Sequence, residues 1–358
     1  MKTYKLKDLK SGMITALPIY TAKGQLILEP GTFLTPALIS RLSFYSIDSA
    51  TVEDPVSIPK PGNVQNPTYS QKVKQSPVFM QFQIEYSKEL NSIQDAFESF
   101  CKGQFRSDTS DILSDISALL SKSSTTIELF DMLHNMRQIN DSIYAHCLNV
   151  SLICCIMGEW LHFSPQDLEQ LALAGLLHDI GKTSLPKELL DKPGKYTPQE
   201  YELVRKHTFL GYNILKDQPL DIRVKRAALM HHERCDGSGY PQSLTGKDID
   251  SFAQIVAIAD VYDAMTAARS YRAPLCPFQV IDAFEKEGLQ KYHPEYILTF
   301  LERIANTYQH NRILLNNGKS ATIVMINPKH LTHPMIQLDD DSILDMTEHR
   351  DLEIIQIL

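Results

Sequence analysis

The sequence predicts a mainly α-helical protein with small β-containing segments at both ends. Apolar residues recur at helical spacing from about Val78 to residue 310. They alternate with period two within residues 1–52 and again within 311–358. A polar stretch holding Pro55, Pro59, Pro61, Pro67 and Pro77 separates the first segment from the rest.

Residues 1–52 are expected to form a small α/β domain. Leu9 to Met13 reads as a turn, and Tyr20 to Leu28 as two strands around Gly24. Thr35-Pro36 opens a short helix, with Thr as N-cap and Pro in the first helical position. Residues 53–77 read as an extended linker. A helical connecting region follows over 78–136. Its stripes are Ile93, Phe97, Phe100 and Cys101, then Ile112, Ile116, Leu119 and Leu120, then Leu129, Leu133 and Met136. They read as packing faces rather than partner-binding ones. Residues 137–310 carry the chemistry on helices. Ser164-Pro165 starts one, over Leu168, Leu171, Ala172, Gly175 and Leu176. Thr197 to Glu200 starts another as a capping box. The tail, 311–358, shows period two at Thr322–Ile326, Met335–Leu338 and Leu352–Leu358.

A chain of 358 residues, 43% hydrophobic and 22% charged, has the composition of a globular protein with room for two or three domains. No window holds eighteen or so consecutive apolar residues, so no membrane span is expected. Met1 to Asp8 lacks the apolar core of a signal peptide, and the expected location is cytoplasmic. The six cysteines show no CxxC pair and are expected to be free, buried thiols. A net charge of −8 disfavours nucleic-acid polymers and anionic membranes as partners.

Two dense clusters of metal-ligand residue types stand out. One is His178-Asp179-Ile180-Gly181-Lys182; the other runs from His231-His232-Glu233 to Gly239-Tyr240-Pro241. His146, His207 and Asp260 stand apart from both. Each has a bland reading when taken alone. His146 is a packed or surface histidine, Lys182 a solvated lysine, and the glycine-rich run a turn. Together, His146, His178, Asp179, His207, His231, His232 and Asp260 offer seven ligands. One tetrahedral metal needs four at most, so seven suggest two metals with a bridging carboxylate. Imidazole nitrogen with carboxylate oxygen suits iron, manganese and zinc. Two metals can bind a phosphodiester, lower the pKa of a bound water and offset charge in the transition state. Lys182, three residues beyond Asp179, can hold a phosphate oxygen beside them.

These motifs resemble the HD-GYP family of bacterial cyclic di-GMP phosphodiesterases, within the HD metal-hydrolase superfamily. The likeness spans about 137–300. It includes Asn140 to Val150, the Leu176 to Lys182 motif, Lys192 to Lys195, Thr197-Pro198 and His207. It continues through His231 to Pro241, Ile258 to Thr266, Arg269 and Tyr271-Arg272. The resemblance implies an HD-type helical bundle whose seven residues above are metal ligands, with Asp179 bridging two divalent ions, iron or manganese. It implies that Asp179 and Lys182 are catalytic. It further implies that Lys182, Arg269 and Arg272 hold phosphates and that Tyr240 and Asp263 line the substrate site. On an ideal helix Arg269 and Arg272 lie about 180° and 120° around from Asp260. The helix must therefore end or bend near Ala268 for both to face inward. Some family members place a third-metal glutamate four residues before the first histidine. Here Ser142 holds that place and Asp141 is displaced by one residue, so two metals are expected. Cys235 reads as a variable loop position rather than a ligand.

The implied reaction opens cyclic di-GMP to linear pGpG. Open alternatives are another cyclic dinucleotide, such as cyclic GMP-AMP, or a catalytically silent cyclic di-GMP sensor. Signalling-protein partners at the Gly-Tyr-Pro loop or the N-terminal domain, and a homodimer, also stay open.

Overall fold

The computed structural model describes residues 2–6, 9, 13, 15–20, 26–28, 32, 34, 42, 47, 49–52, 76–103, 109–123, 125–137, 142–192, 194–267 and 275–358. The chain divides into two compact units, Met1–Asn66 and Pro67–Leu358. In the first, β1 (Lys2–Lys5) pairs antiparallel with β4 (Ser49–Val52), and β2 (Ile19–Tyr20) with β3 (Leu26–Leu28). Leu9, Ile19, Leu28, Leu34, Leu42, Ala50 and Val52 form its core. The expected Gly24 turn, the Thr35-Pro36 helix and nearly all of the expected linker lie outside the described residues.

The second unit is mainly α, as its apolar periodicity predicts. α1 (Pro77–Cys101) starts on Ser76, whose side chain accepts from the Phe79 N–H at 3.1 Å, with Pro77 in the first turn. It buries Phe79, Phe82, Tyr86, Leu90, Ile93, Phe97 and Phe100. Cys101 departs from the expected stripe and is exposed, one residue and about 100° of helix beyond Phe100. Cys235 is half-buried; the other four thiols are buried, and all six are free. α2 (Ser110–Leu120), α3 (Thr126–Arg137) and α4 (Ile143–Trp160) follow.

α4 is apolar nearly all round, and its length and composition would suit a membrane span. However, 78% of it is buried inside the protein, where it forms the centre of the bundle. α5 (Pro165–Leu177) lies against it, and a Cβ on Gly175 would come within 2.8 Å of Ser151 Cα. Ser164 caps α5, and the capping box expected at Thr197 and Glu200 is formed. The remaining helices are α6 (Lys187–Leu190), α7 (Pro198–Arg205), α8 (His207–Leu215), α9 (Ile222–Met230), α10 (Ser251–Thr266), α11 (Pro277–Glu287) and α12 (Pro294–Thr307).

The tail is an antiparallel sheet ordered β8-β7-β6-β5-β9. Its strands are β5 (Arg312–Leu315), β6 (Ser320–Asn327), β7 (His330–Leu338), β8 (Ile343–Asp345) and β9 (Ile354–Ile357). It packs on α11 and α12. One continuous core runs from Phe79 on α1 to Ile354 on β9, so α1 to α3 share their interior with the later helices.

Candidate metal centre

Five elements deliver the seven expected ligands to one point. α4 carries His146, and α5 ends at His178, followed by Asp179. α8 begins with His207, α9 ends at His231 with His232 after it, and α10 carries Asp260. Lys182 sits on the short 3-10 turn Ile180–Ser184. That turn lies flat on α8 because residue 181 is glycine. A Cβ there would fall 1.9 Å from the His207 carbonyl oxygen and 2.4 Å from the Gly211 nitrogen.

The seven fall into two groups, Asp179, His207, His231 and His232, and then His146, His178 and Asp260. Within each, the donor atoms lie within 4.8 Å of one another. Hydrogen bonds fix the tautomers. His178 Nδ1 lies 2.7 Å from the Gly175 carbonyl, His207 Nδ1 2.6 Å from that of Val204, and His231 Nδ1 2.9 Å from that of Ala227. A carbonyl only accepts, so each Nδ1 carries a proton and each ring turns its Nε2 inward. Asp179 Oδ1 faces His207 Nε2 at 3.3 Å and His231 Nε2 at 3.7 Å. Its Oδ2 faces His178 Nε2 at 3.4 Å and His146 Nε2 at 3.6 Å. One carboxylate thus offers an oxygen to each group. His146 Nε2 also lies 3.1 Å from Asp260 Oδ1, and His232 Nδ1 3.9 Å from Asp260 Oδ2.

This arrangement fits cations and little else. His207 Nε2 and His231 Nε2 stand 3.2 Å apart with lone pairs opposed. His178 Nε2 and Asp179 Oδ1 are buried without a hydrogen-bond partner. Such orphans are costly unless a positive charge joins them.

Burial lowers His207 to about 4, and lowers His231 and His232 well below the ordinary range. All three are therefore neutral, with a free nitrogen, at physiological pH. Burial acts on His146 in the same sense, but its bonds to Asp260 and Asp263 outweigh it and hold it at about 9. Burial would raise Asp179, yet Lys182 and His178 hold its carboxyl well below the carboxylate range. The Lys182 ammonium bonds to Asp179 Oδ2, and the nearby carboxylates raise its pKa against the effect of burial.

The HD domain family model matches residues 109–296, just over half of the chain, and the match holds all seven of these residues. The chain belongs to the HD domain family. A Thermotoga maritima relative named cyclic di-GMP phosphodiesterase is 34% identical over 178 residues, 49% of this chain and 48% of that protein. A Vibrio cholerae relative named 3'3'-cGAMP-specific phosphodiesterase 2 is 35% identical over 160 residues, 44% of this chain and 31% of that protein. The chain therefore spans about half the length, or less, of these curated relatives. Among solved structures, an HDG"Y"P protein from Bdellovibrio bacteriovorus superimposes with a TM-score of 0.52. It covers 85% of this chain and 99% of that one at 15% identity, a likeness of fold.

Around the HD centre, other expected residues fall in different places. Tyr240 stacks on the His232 ring at 4.6 Å and 27°, with the Arg205 guanidinium 4.6 Å above it. Asp263, expected to line the substrate site, is buried behind His146. Its Oδ2 meets His146 Nδ1 at 2.7 Å and its Oδ1 the Asn149 amide at 2.8 Å. Arg269, Tyr271 and Arg272 lie outside the described residues, as do Asn140 and Asp141. α10 stops at Thr266, so the expected break before Ala268 is present. The Ser142 hydroxyl caps α4, accepting from the Ala145 N–H at 3.2 Å. Cys235 belongs to neither ligand group.

Glu233 has a role that spacing did not reveal. Only 2% exposed, it accepts from the N–H groups of Gln242 at 2.6 Å and Leu244 at 2.9 Å, which pins the loop that presents Tyr240. The available signal was a carboxylate beside two histidines at the head of a glycine-rich run.

Proposed function

We propose that the protein is a metal-dependent phosphodiesterase that opens cyclic di-GMP to linear pGpG. The observation that carries this reading is Asp179, whose two oxygens face two separate groups of ligand nitrogens while Lys182 stands beside it. The Thermotoga maritima relative's name supplies the substrate class. In this reading His146, His178, Asp179 and Asp260 would hold one divalent ion, and Asp179, His207, His231 and His232 would hold a second, iron or manganese. When bound, such ions lower the pKa of water and offset phosphate charge. Asp179 sets the spacing between the two positions. Lys182, released from its pairing with Asp179, holds a phosphate oxygen. Arg269 and Arg272 are assigned the other phosphate contacts, and Tyr240 a wall of the substrate site. Catalysis is assigned to 137–310, with 1–52 and 311–358 as accessory units.

A second reading, cyclic GMP-AMP as substrate, has the Vibrio cholerae relative's name in its favour. Protein purified without oxygen should be analysed for metal and then given each nucleotide in turn. Faster release of pGpG from cyclic di-GMP supports the first reading, and preference for cyclic GMP-AMP the second. No cleavage by fully metallated protein would leave a silent sensor and overturn both.

A further inference from the structure

Tyr86, outside the region matched by the HD family model, is joined to the candidate metal centre by a chain of hydrogen bonds. Tyr86 lies midway along α1 and is fully buried. Its hydroxyl is 2.7 Å from Asn149 Oδ1 and 3.1 Å from the Ala145 carbonyl, both on α4. Asn149 Nδ2 is 2.8 Å from Asp263 Oδ1 on α10, and Asp263 Oδ2 is 2.7 Å from His146 Nδ1.

The direction of each bond is forced. A carboxylate only accepts, so Asp263 takes one hydrogen from the Asn149 amide and one from His146 Nδ1. Asn149 must then turn its NH2 to α10 and its oxygen to α1. That oxygen needs a donor, and the Tyr86 hydroxyl is the donor placed there. The chain of bonds ends on His146, with Nε2 left as the atom aimed at Asp260 and Asp179. Tyr86 and Asn149 are 0% exposed and Asp263 is 2% exposed, so bulk water is not at hand to replace a missing member.

We propose that Tyr86 and Asn149 are positioning residues for the metal centre. Through Asp263 they hold the plane and tautomer of the His146 ring, and so set the affinity of the group formed by His146, His178 and Asp260. Metal-ligating histidines depend on such partners for orientation, and losing one commonly weakens metal binding 10- to 100-fold. The proposal rests on the metal-centre reading above.

The test is Mn2+ titration of the full-length, metal-stripped protein, with free ion followed by electron paramagnetic resonance. Tyr86→Phe keeps the ring that packs in the core and removes only the donor. It should bind one of its ions about tenfold more weakly, with the other little changed. Asn149→Ala should do the same. The double variant should be no worse than Asn149→Ala alone, because both residues act through one chain of bonds; a mere packing role would make the losses add. Wild-type affinity in Tyr86→Phe, or additive losses in the double variant, would overturn the proposal. Wild-type protein that takes up no Mn2+ would overturn the metal-centre reading and this one with it.

Discussion

Asp179 and Lys182 are bonded to each other, yet their removal should have opposite effects on metal. Asp179→Ala deletes the carboxylate whose two oxygens face both ligand groups at 3.3–3.7 Å, leaving the ring nitrogens of His178, His207 and His231 to face one another. It should lose both bound metal and hydrolysis, as read by elemental analysis and product release. Lys182→Ala removes a competitor for Asp179 Oδ2, so metal content should stay at wild-type level or rise. Its loss should appear in kcat/KM, by about 2–4 kcal/mol, the scale of one preorganised electrostatic contact. Wild-type kcat and KM would remove Lys182 from the site. The gathering of the seven candidate ligands was legible because histidines and aspartates cluster densely in the chain. The bonds from Asp263 to His146 and Asn149 were not legible, because spacing shows which residues share α10 but not which way their hydrogen bonds run. Glu233, Asn149 and Tyr86 act through partners 9 to 114 residues away, and no local pattern reports such pairs.

The elements show the same division between local and distant causes. Ser164-Pro165 and the Thr197 capping box carry their signals within four residues and were legible. β5 and β8, of four and three residues, are too short for alternation to register. What no window could show is how α1 meets α2. Glu89 on α1 is 4% exposed, and its Oε1 has no hydrogen-bond partner. Burial, and then the Asp115 carboxylate on α2, push it up to about 8. The folded state thus keeps a proton that the unfolded state releases near 4.5, so this residue makes stability fall as pH climbs from about 4.5 to about 8. Glu89→Gln keeps a donor for Asp115 and removes the charge. Thermal unfolding at a series of pH values should give a flatter profile for the variant over that window. The gain should be on the order of 1 kcal/mol at pH 8. An unchanged slope would mean that Glu89 is ionised in the folded protein at neutral pH.

At the scale of the whole molecule, the bundle stores like-facing lone pairs at its centre, and a bound cation should therefore stabilise the fold as well as serve chemistry. Ligand binding raises stability by RT ln(1 + [L]/Kd), about 2.7 kcal/mol at a hundredfold excess over Kd. Metal-stripped protein should accordingly unfold at a lower temperature than protein in excess Mn2+, with the shift saturating at two ions per chain. The limit of two follows from Ser142. A third ion would need a strong donor at that position, and the serine hydroxyl already accepts the Ala145 N–H as the cap of α4. A neutral hydroxyl is a poor ligand beside carboxylate and imidazole. With two ions, cleavage should stop mainly at linear pGpG, because the second phosphodiester lacks the support of a third. Elemental analysis alongside a product time course checks both points. Three tightly held ions, or rapid conversion through to GMP, would show that another residue takes the place that Ser142 leaves. Ser142→Glu then serves as the converse test. Glutamate is a weaker cap, costing α4 about 1 kcal/mol, but it should gain an ion and shift the product toward GMP.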